Sequence, residues 1–207
     1  MSTNPQSESP EATSPIYNIV GDKVALGPLR KDLVPLYTRW FNDFTTLRML
    51  GPMPRPLTLE QEEQWYERAN TRGDAVVQFT IYEKNSGRPI GTTGLHDIDY
   101  RNRTALFGIT IGEPDARGKG YGTEATQLML DFAFTVQGLH NVILHVHEYN
   151  LAGIRAYTKA GFTEFGRRRE SHFMGGKYWD LIHMECLATE WGPSPVLAEV
   201  FKPDAPR

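Results

Sequence analysis

A glycine-rich loop in the middle of the chain constrains the fold more than any other feature. Residues 117–122 read Arg-Gly-Lys-Gly-Tyr-Gly and lie between two segments of different periodicity. Before the loop, residues 105–111 are apolar and partly β-branched, which is typical of a buried strand. After it, apolar residues recur at spacings of three and four from Ala125 to Val136, which predicts a helix packed on a sheet. The loop therefore joins a buried strand to the start of a helix.

A glycine-rich turn at a helix start has two interpretations. Its bare N–H groups can approach an anion closely, and the first-turn amides and the helix dipole then stabilise a phosphate. Alternatively, the glycines only supply the backbone angles of a connecting loop. The sequence lacks the Gly-Lys-Ser/Thr ending of a nucleotide P-loop, and its third glycine comes one residue too early for a dinucleotide fingerprint. It fits the pattern Arg-x-x-Gly-x-Gly, formed by Arg117, Gly120 and Gly122.

This pattern resembles the coenzyme A pyrophosphate loop of the GCN5-related N-acetyltransferase (GNAT) superfamily. A second motif strengthens the resemblance, because Asn150 precedes a predicted helix, Tyr157 follows two turns later, and Gly161-Phe162 leads into a strand. The run Trp40-Phe41-Asn42-Asp43 resembles the branch that contains the RimJ/RimL-type ribosomal-protein acetyltransferases and the spermidine acetyltransferases. The likeness extends over residues 17–190.

The order of the elements predicts an α/β fold of the mixed α+β type. We expect a mixed, largely antiparallel sheet of six to seven strands with helices on both faces. One domain should span residues 16–190, between a disordered tail at 1–15, which has almost nothing to bury, and a proline-rich tail at 191–207. The predicted strands lie at 17–28, 75–83, 89–98, 103–112, 140–147, 162–173 and 177–188, and the helices at 30–43, 58–70, within 117–137 and at 151–160. A turn is expected near Gly21-Asp22, and Thr58 and Gln61 have the spacing of a capping box at the start of the 58–70 helix.

Composition excludes several classes of function. A net charge of −3 gives no basic face for nucleic acid. No apolar run approaches the roughly 18 residues of a membrane span, so no membrane partner is predicted. The single cysteine, Cys186, excludes an internal disulfide and indicates a cytoplasmic protein. A homodimer is implied by the resemblance alone.

The resemblance implies acetyl-CoA as cofactor, with its pyrophosphate bound by backbone N–H groups of the loop. The pantetheine arm should lie in a splay between the 103–112 and 140–147 strands, where a backbone N–H would polarise the thioester carbonyl. Asn150 is also expected to cap the following helix. The predicted cofactor-binding residues are Ile109, Thr110, Ile111, Arg117, Gly118, Lys119, Gly120, Tyr121, Gly122, Thr123 and Asn150.

For catalysis, the resemblance assigns Tyr157 as the general acid that protonates the departing thiolate, and the alternative is a core tyrosine beside Ile154. Many relatives in this branch carry a general-base glutamate in the strand before the loop, but residues 105–108 read Ala-Leu-Phe-Gly. The preferred base is Glu148, at the carboxyl end of the 140–147 strand beside the cofactor cleft. The other candidates are His96, Asp97, Asp99 and the pair His145 and His147.

The acceptor pocket is expected from residues 40–50, the loop at 51–56 and the hairpin at 173–177, with Trp40, Asp43, His96 and Asp97 as substrate-binding residues. His145 and His147 lack a clustered third ligand, so no metal site is predicted. Cys186 is expected to be buried and inert, which favours direct transfer within a ternary complex.

The predicted activity is therefore transfer of an acetyl group to a primary amine of a small molecule or a peptide. A protein N-terminus, a polyamine, an amino sugar and an amine antibiotic all remain open as acceptors. The alternative is a coenzyme A-binding sensor or scaffold that has lost its chemistry, which the missing strand glutamate supports.

Overall fold

An eight-stranded sheet organises the computed structural model, which describes residues 15–51, 55–71, 73–192, 196–197 and 200. Its strands lie in the order β1-β2-β3-β4-β5-β6-β8-β7. All neighbours pair antiparallel except β5 and β6, which are parallel. The strands are β1 Ile19–Val20, β2 Val24–Pro28, β3 Val77–Glu83, β4 Pro89–Asp99, β5 Thr104–Ile111, β6 Asn141–His147, β7 Thr163–Met174 and β8 Lys177–Leu187. The helices are α1 Val34–Trp40, α2 Phe44–Leu47, α3 Leu59–Thr71, α4 Tyr121–Asp131 and α5 Leu151–Ala160.

The mixed, largely antiparallel sheet is confirmed, but it has eight strands where six to seven were predicted. The expected strand at 17–28 forms a hairpin, in which Ile19 pairs with Leu26 and the Gly21 N–H donates to the Val24 carbonyl. A turn at Gly21-Asp22 was predicted, and it reverses the chain completely, so one continuous apolar segment becomes two strands.

The first predicted helix, at 30–43, is wrong in its length and continuity. A 3-10 turn at Lys31–Leu33 precedes α1, and α1 ends at Trp40. The short helix α2 then starts separately, because the Asp43 side chain accepts a hydrogen bond from the Thr45 N–H and caps a new helix. The later helices agree better with expectation. Thr58 and Gln61 form the predicted capping box of α3, while α4 ends in a π-helical turn at Phe132–Val136.

Helices cover both faces of the sheet, as predicted. On one face, the ring of Phe79 contacts that of Phe132 directly after α4, and Tyr157 of α5 packs on Phe107. On the other face, the Tyr37 hydroxyl of α1 lies 2.6 Å from the Thr80 hydroxyl of β3. The alternation of side chains along a strand places Phe79 and Thr80 on opposite faces.

Strands β5 and β6 separate soon after they begin. They pair only over Thr104–Leu106 and Asn141–Ile143, although β5 continues to Ile111 and β6 to His147. Beyond that point, no described strand pairs with the edge of β5 that faces β6. The splay that the resemblance implied is therefore present, and it exposes backbone hydrogen-bonding groups in the middle of the sheet.

The C-terminal segment contacts the core where it is described. The N–H of Leu197 donates to Asp131 of α4 at 3.0 Å, and the Leu197 side chain is buried. Trp191 also packs against the main core cluster. The predicted N-terminal tail lies, up to residue 14, outside the described residues. No helix in the described part of the chain is long and apolar enough to cross a membrane.

Candidate active site

The glycine-rich loop leaves the N-terminus of α4 open. Gly118 and Gly120 have φ angles of 75° and 86°, which are left-handed conformations that favour glycine. Gly120 occupies the N-cap position and so supplies no capping side chain to the first-turn amides. These amides and the positive end of the helix dipole are available to an anion.

A cleft of about 510 Å³ lies over this helix start. It is bounded by the end of β5, by α5 from Ala152 to Lys159 and by residues of the 45–50 segment. Nine of the eleven predicted cofactor-binding residues line it: Ile109, Thr110, Ile111, Arg117, Gly118, Gly120, Gly122, Thr123 and Asn150. The fold therefore brings the two sequence motifs together on one cleft.

The other two predicted cofactor residues point elsewhere. Lys119 is exposed and does not line the cleft. The Tyr121 hydroxyl donates a hydrogen bond to Glu83 of β3 at 2.6 Å. Tyr121 is the first residue of α4, but its hydrogen bond to Glu83 turns its side chain toward the sheet and away from the cleft.

Arg117 lines the cleft and also ties its parts together. Its guanidinium donates to the Ile111 carbonyl at 3.1 Å and to the Thr46 hydroxyl at 2.7 Å. It also lies 3.7 Å from the Asp43 carboxylate. Hydrogen bonds from Thr45 and Thr46, followed by this charge, lower the pKa of Asp43 to about 2. Arg117 thus links the end of β5 to α2 and contributes positive charge to the cleft.

Tyr157 lines the same cleft among aromatic side chains. Its ring packs edge-on against Phe107 and Phe162, with centroids 6.3 Å and 6.2 Å away. Burial alone raises the pKa of its phenol to about 12. The hydroxyl therefore keeps its proton at neutral pH, as a general acid must. The core interpretation of this tyrosine and the catalytic one are compatible in this geometry.

Asn150 is the N-cap of α5, as predicted. Its Oδ1 accepts a hydrogen bond from the Gly153 N–H at 2.9 Å. At the other end, Gly161 stops the helix with a φ of 115°. The cap therefore fixes the side chain of Asn150 at the wall of the cleft.

A second cavity of about 660 Å³ lies between α3 and the sheet. It meets the first cleft at Leu50, Ile109 and Thr110, which line both. Phe41, Leu47 and Trp65 give it apolar walls, and Arg55, Arg68 and His96 carry its basic groups. Two ligands, one in each cavity, would therefore meet at the unpaired edge of β5.

Glu62 of α3 lines this second cavity, although the sequence patterns did not indicate it as a site residue. It is 3% exposed, and its Oε1 has no hydrogen-bond partner. Burial raises the pKa of its carboxyl to about 7. A signal was available in the sequence, because Glu62 shares the spacing of Trp65, Tyr66 and Ala69, which pack toward α1. A carboxylate on the apolar stripe of an amphipathic helix needs an explanation.

Of the predicted substrate-binding residues, only His96 lines the second cavity. Trp40 is buried, and its indole N–H donates to Glu113 at 2.8 Å. Asp43 caps α2, and Asp97 is exposed at a bulge of β4, with a φ of 48°. The predicted pocket wall at 40–50 is present through Phe41, Leu47 and Leu50, and Arg55 contributes from the following loop. The hairpin at 173–177 lines neither cavity, and residues 52–54 lie outside the described residues.

Glu148, the preferred base, is held by neighbouring strands. Its Oε1 accepts a hydrogen bond from the Asp180 N–H at 3.0 Å, and its Oε2 lies 3.9 Å from Arg167. It lines neither cavity. Being at the carboxyl end of β6 was therefore insufficient to aim it at the cleft.

The other histidine candidates pack against aromatic rings. His145 contacts the ring of His183 at 4.5 Å, and His147 stacks on Tyr149 at 5.1 Å. Burial, followed by the charge of a neighbouring histidine, lowers the pKa of both. The described residues contain no cluster of three or more His, Cys, Asp or Glu side chains that could bind a metal ion.

Comparison with protein families identifies the family of the chain. The GNAT acetyltransferase domain family matches residues 23–163, which is more than half of the chain. The chain belongs to the GNAT acetyltransferase family. This GNAT protein is therefore an acetyltransferase, and the acetyl-CoA that the resemblance implied fits the open helix start, the splay and the cleft.

Relatives of this GNAT acetyltransferase confirm the predicted spermidine-acetyltransferase-like branch. The spermidine N(1)-acetyltransferase of Escherichia coli K12 is 36% identical over 164 residues, covering 79% of this chain and 85% of that enzyme. A crystal structure of the spermidine N-acetyltransferase of Vibrio cholerae in complex with CoA and spermine matches with a TM-score of 0.74 and 26% identity. That match covers 81% of this chain and 97% of the other. A dodecameric structure of the Vibrio enzyme matches with a TM-score of 0.69 and 27% identity, covering 81% and 95% of the two chains.

Proposed function

We propose that this enzyme transfers the acetyl group of acetyl-CoA directly to a primary amine of a polyamine, within a ternary complex. The observation that carries the proposal is the meeting of two cavities at Ile109 and Thr110. A cofactor bound along the splay presents its thioester there, and an acceptor in the second cavity reaches it from the α3 side. Holding both partners at one point replaces a bimolecular encounter by an intramolecular one.

Direct transfer is favoured because the chain offers a poor acyl-enzyme nucleophile. Cys186 is its only cysteine, and it is buried. Burial raises the pKa of its thiol to about 11, so the reactive thiolate is scarce at neutral pH. It also lines neither cavity.

The residues of the chain have separate tasks in this proposal. Bound acetyl-CoA supplies the acetyl group as an activated thioester. The loop amides from Gly118 to Thr123 bind its pyrophosphate, and Arg117 adds charge beside them. The unpaired edge of β5 binds the pantetheine amides and orients the thioester. Tyr157 gives its phenolic proton to the departing sulfur, and its raised pKa keeps the phenol protonated across the neutral range until then.

A polyamine is the proposed acceptor because the relatives above are spermidine acetyltransferases and one of them holds spermine. The second cavity, with a volume of about 660 Å³, offers a polyamine apolar walls for its methylene groups and the carboxyl group of Glu62 for a cationic nitrogen. The homodimer and the cytoplasmic location inferred from the sequence stay predictions.

A free-thiol release assay with acetyl-CoA and a panel of amines tests the proposal. The panel contains spermidine, spermine, a peptide with a free N-terminus and an amino sugar. We expect the highest kcat/KM with a polyamine. A higher value with the peptide or the sugar would refute the polyamine assignment. Cofactor binding without turnover of any amine would refute the enzymatic proposal and favour the sensor alternative.

A further inference from the structure

We propose that Glu62 binds the acceptor's amine in the second cavity and takes up its proton before acetyl transfer. This inference rests on the proposed function. Glu62 would then be the general base of the enzyme. It would replace the β5 glutamate that many relatives carry and this chain lacks, and it would do so in preference to Glu148, which lines neither cavity.

The position of Glu62 is costly unless a ligand compensates for it. The carboxyl is buried, and Oε1 is left without a hydrogen bond by the described residues. A buried carboxylate oxygen without a partner loses hydration and gains no hydrogen bond in exchange. An acceptor ammonium group in the cavity would supply both the missing hydrogen bond and the opposite charge.

Among the residues that the structure describes, the charged groups that line the second cavity do not already pair with the carboxyl group of Glu62. Arg55, Arg68 and His96 line the same cavity. Glu62 forms no ion pair with either arginine within the described part of the chain. The ring of His96 lies over Gly108 of β5, because a Cβ atom added to that glycine would be 3.5 Å from Nε2 of the ring. His96 is therefore the alternative candidate for the base in this cavity.

The proton balance is simple. An ammonium acceptor must lose two protons to become an amide. Glu62 takes the first, which turns R–NH₃⁺ into the neutral nucleophile R–NH₂ and the carboxylate into a carboxylic acid. The nitrogen then forms a bond to the acetyl carbon while the C–S bond breaks. The second proton leaves the nitrogen for solvent, solvent returns one proton to the Tyr157 phenolate, and Glu62 returns its own proton to solvent. The net reaction releases one proton to solvent per turnover.

The affinity of Glu62 for a proton is suited to this exchange. Burial brings its pKa to about 7, so at neutral pH the carboxyl is partly ionised and can accept or release a proton. Below this pH the carboxyl group of Glu62 is protonated in the free enzyme. It must lose this proton when an ammonium group binds, because only the carboxylate form attracts the positive charge. Amine binding should therefore weaken about tenfold from pH 8 to pH 6.

Calorimetry with spermidine in two buffers of different ionisation enthalpy tests this linkage without requiring turnover. At pH 6 we expect the wild type to release about one proton on binding spermidine, and much less at pH 8. Glu62→Gln should abolish the release and the tenfold weakening, and Glu62→Asp should retain part of both. Glu63→Gln is the matched control, because Glu63 is the next residue on the same helix and is exposed. Persistence of the release in Glu62→Gln, or its loss in His96→Gln instead, would overturn the inference.

A pH profile of thiol release provides the kinetic test. Below pH 7, kcat/KM of the wild type should fall about tenfold per pH unit, and Glu62→Gln should lose this limb and about 100-fold in kcat. Its affinity for coenzyme A should be unchanged, which separates the role from a structural one. Wild-type enzyme that binds spermidine with proton release but turns over no amine would refute the proposed function while supporting Glu62 as the amine's partner. Turnover with an unchanged acidic limb in Glu62→Gln would refute the inference alone.

Discussion

Replacing Glu62 by Gln should stabilise the protein in a pH-dependent way. The folded-state pKa of Glu62 is raised from 4.5 to about 7 by burial. A raised acid pKa means that the folded state favours the protonated form. The stability linked to this proton is fully present below pH 4.5 and is lost as the pH rises through about 7. A tenfold change in proton affinity corresponds to about 1.4 kcal/mol, so the wild type should lose about 2.5 kcal/mol between pH 5 and pH 8 relative to the Gln variant.

Urea unfolding of both proteins at pH 5 and pH 8 measures this difference, with Glu63→Gln as the exposed control. We expect the gap between wild type and Glu62→Gln to widen with pH in favour of the variant, and the control to follow the wild type. An equal gap at the two pH values would show that Glu62 ionises as a solvated carboxyl does. The burial argument, and with it the reason to expect a ligand at this side chain, would then fail.

Three further predictions concern the cofactor cleft. Gly122→Val should fold, because its Cβ would lie 3.6 Å from Ile111, which is an ordinary van der Waals distance. Calorimetry should show that it binds coenzyme A at least about tenfold more weakly than the wild type. Normal binding would contradict the loop assignment. Gly120→Val is a poorer probe, since its φ of 86° strains any side chain. Tyr157→Phe should lose about 100-fold or more in kcat with unchanged coenzyme A affinity, and full kcat would exclude the general-acid role. Asn150→Ala should cost about 1 kcal/mol in urea unfolding, while Asn150→Ser, which can still cap α5, should cost less; a loss of cofactor affinity in both would indicate a contact beyond capping.

The sequence was sufficient wherever function depends on local backbone geometry. Gly118 and Gly120 predict left-handed turns because other residues are strained there, and Asn150 and Gly161 predict the two ends of α5. These requirements act over a few residues, so the loop, the capped helix and their order along the chain indicate the family and its cofactor. The same reasoning was weaker for the helix predicted at 30–43, because an alternative cap at Asp43 divides a continuous apolar pattern.

Tertiary structure alone decided which side chains share a cavity. Glu148 was placed correctly at the end of β6, but Asp180 and Arg167 turn its carboxylate toward β7 and β8. The splay depends on how far β5 and β6 pair, which is a long-range contact that neither strand specifies by itself.

Glu62 shows the same division most clearly. Its sequence neighbours place it on the apolar stripe of α3, but only the packing of that helix over the sheet removes it from water. The chain by itself predicts an anion site at the α4 N-terminus, because bare amides and glycine angles are local properties, and its resemblance to the GNAT family predicts coenzyme A as the ligand. In the proposed reaction, the carboxyl group that meets the acceptor amine is the one that the packing of the helices on the sheet has buried. Burial is a property of the assembled fold.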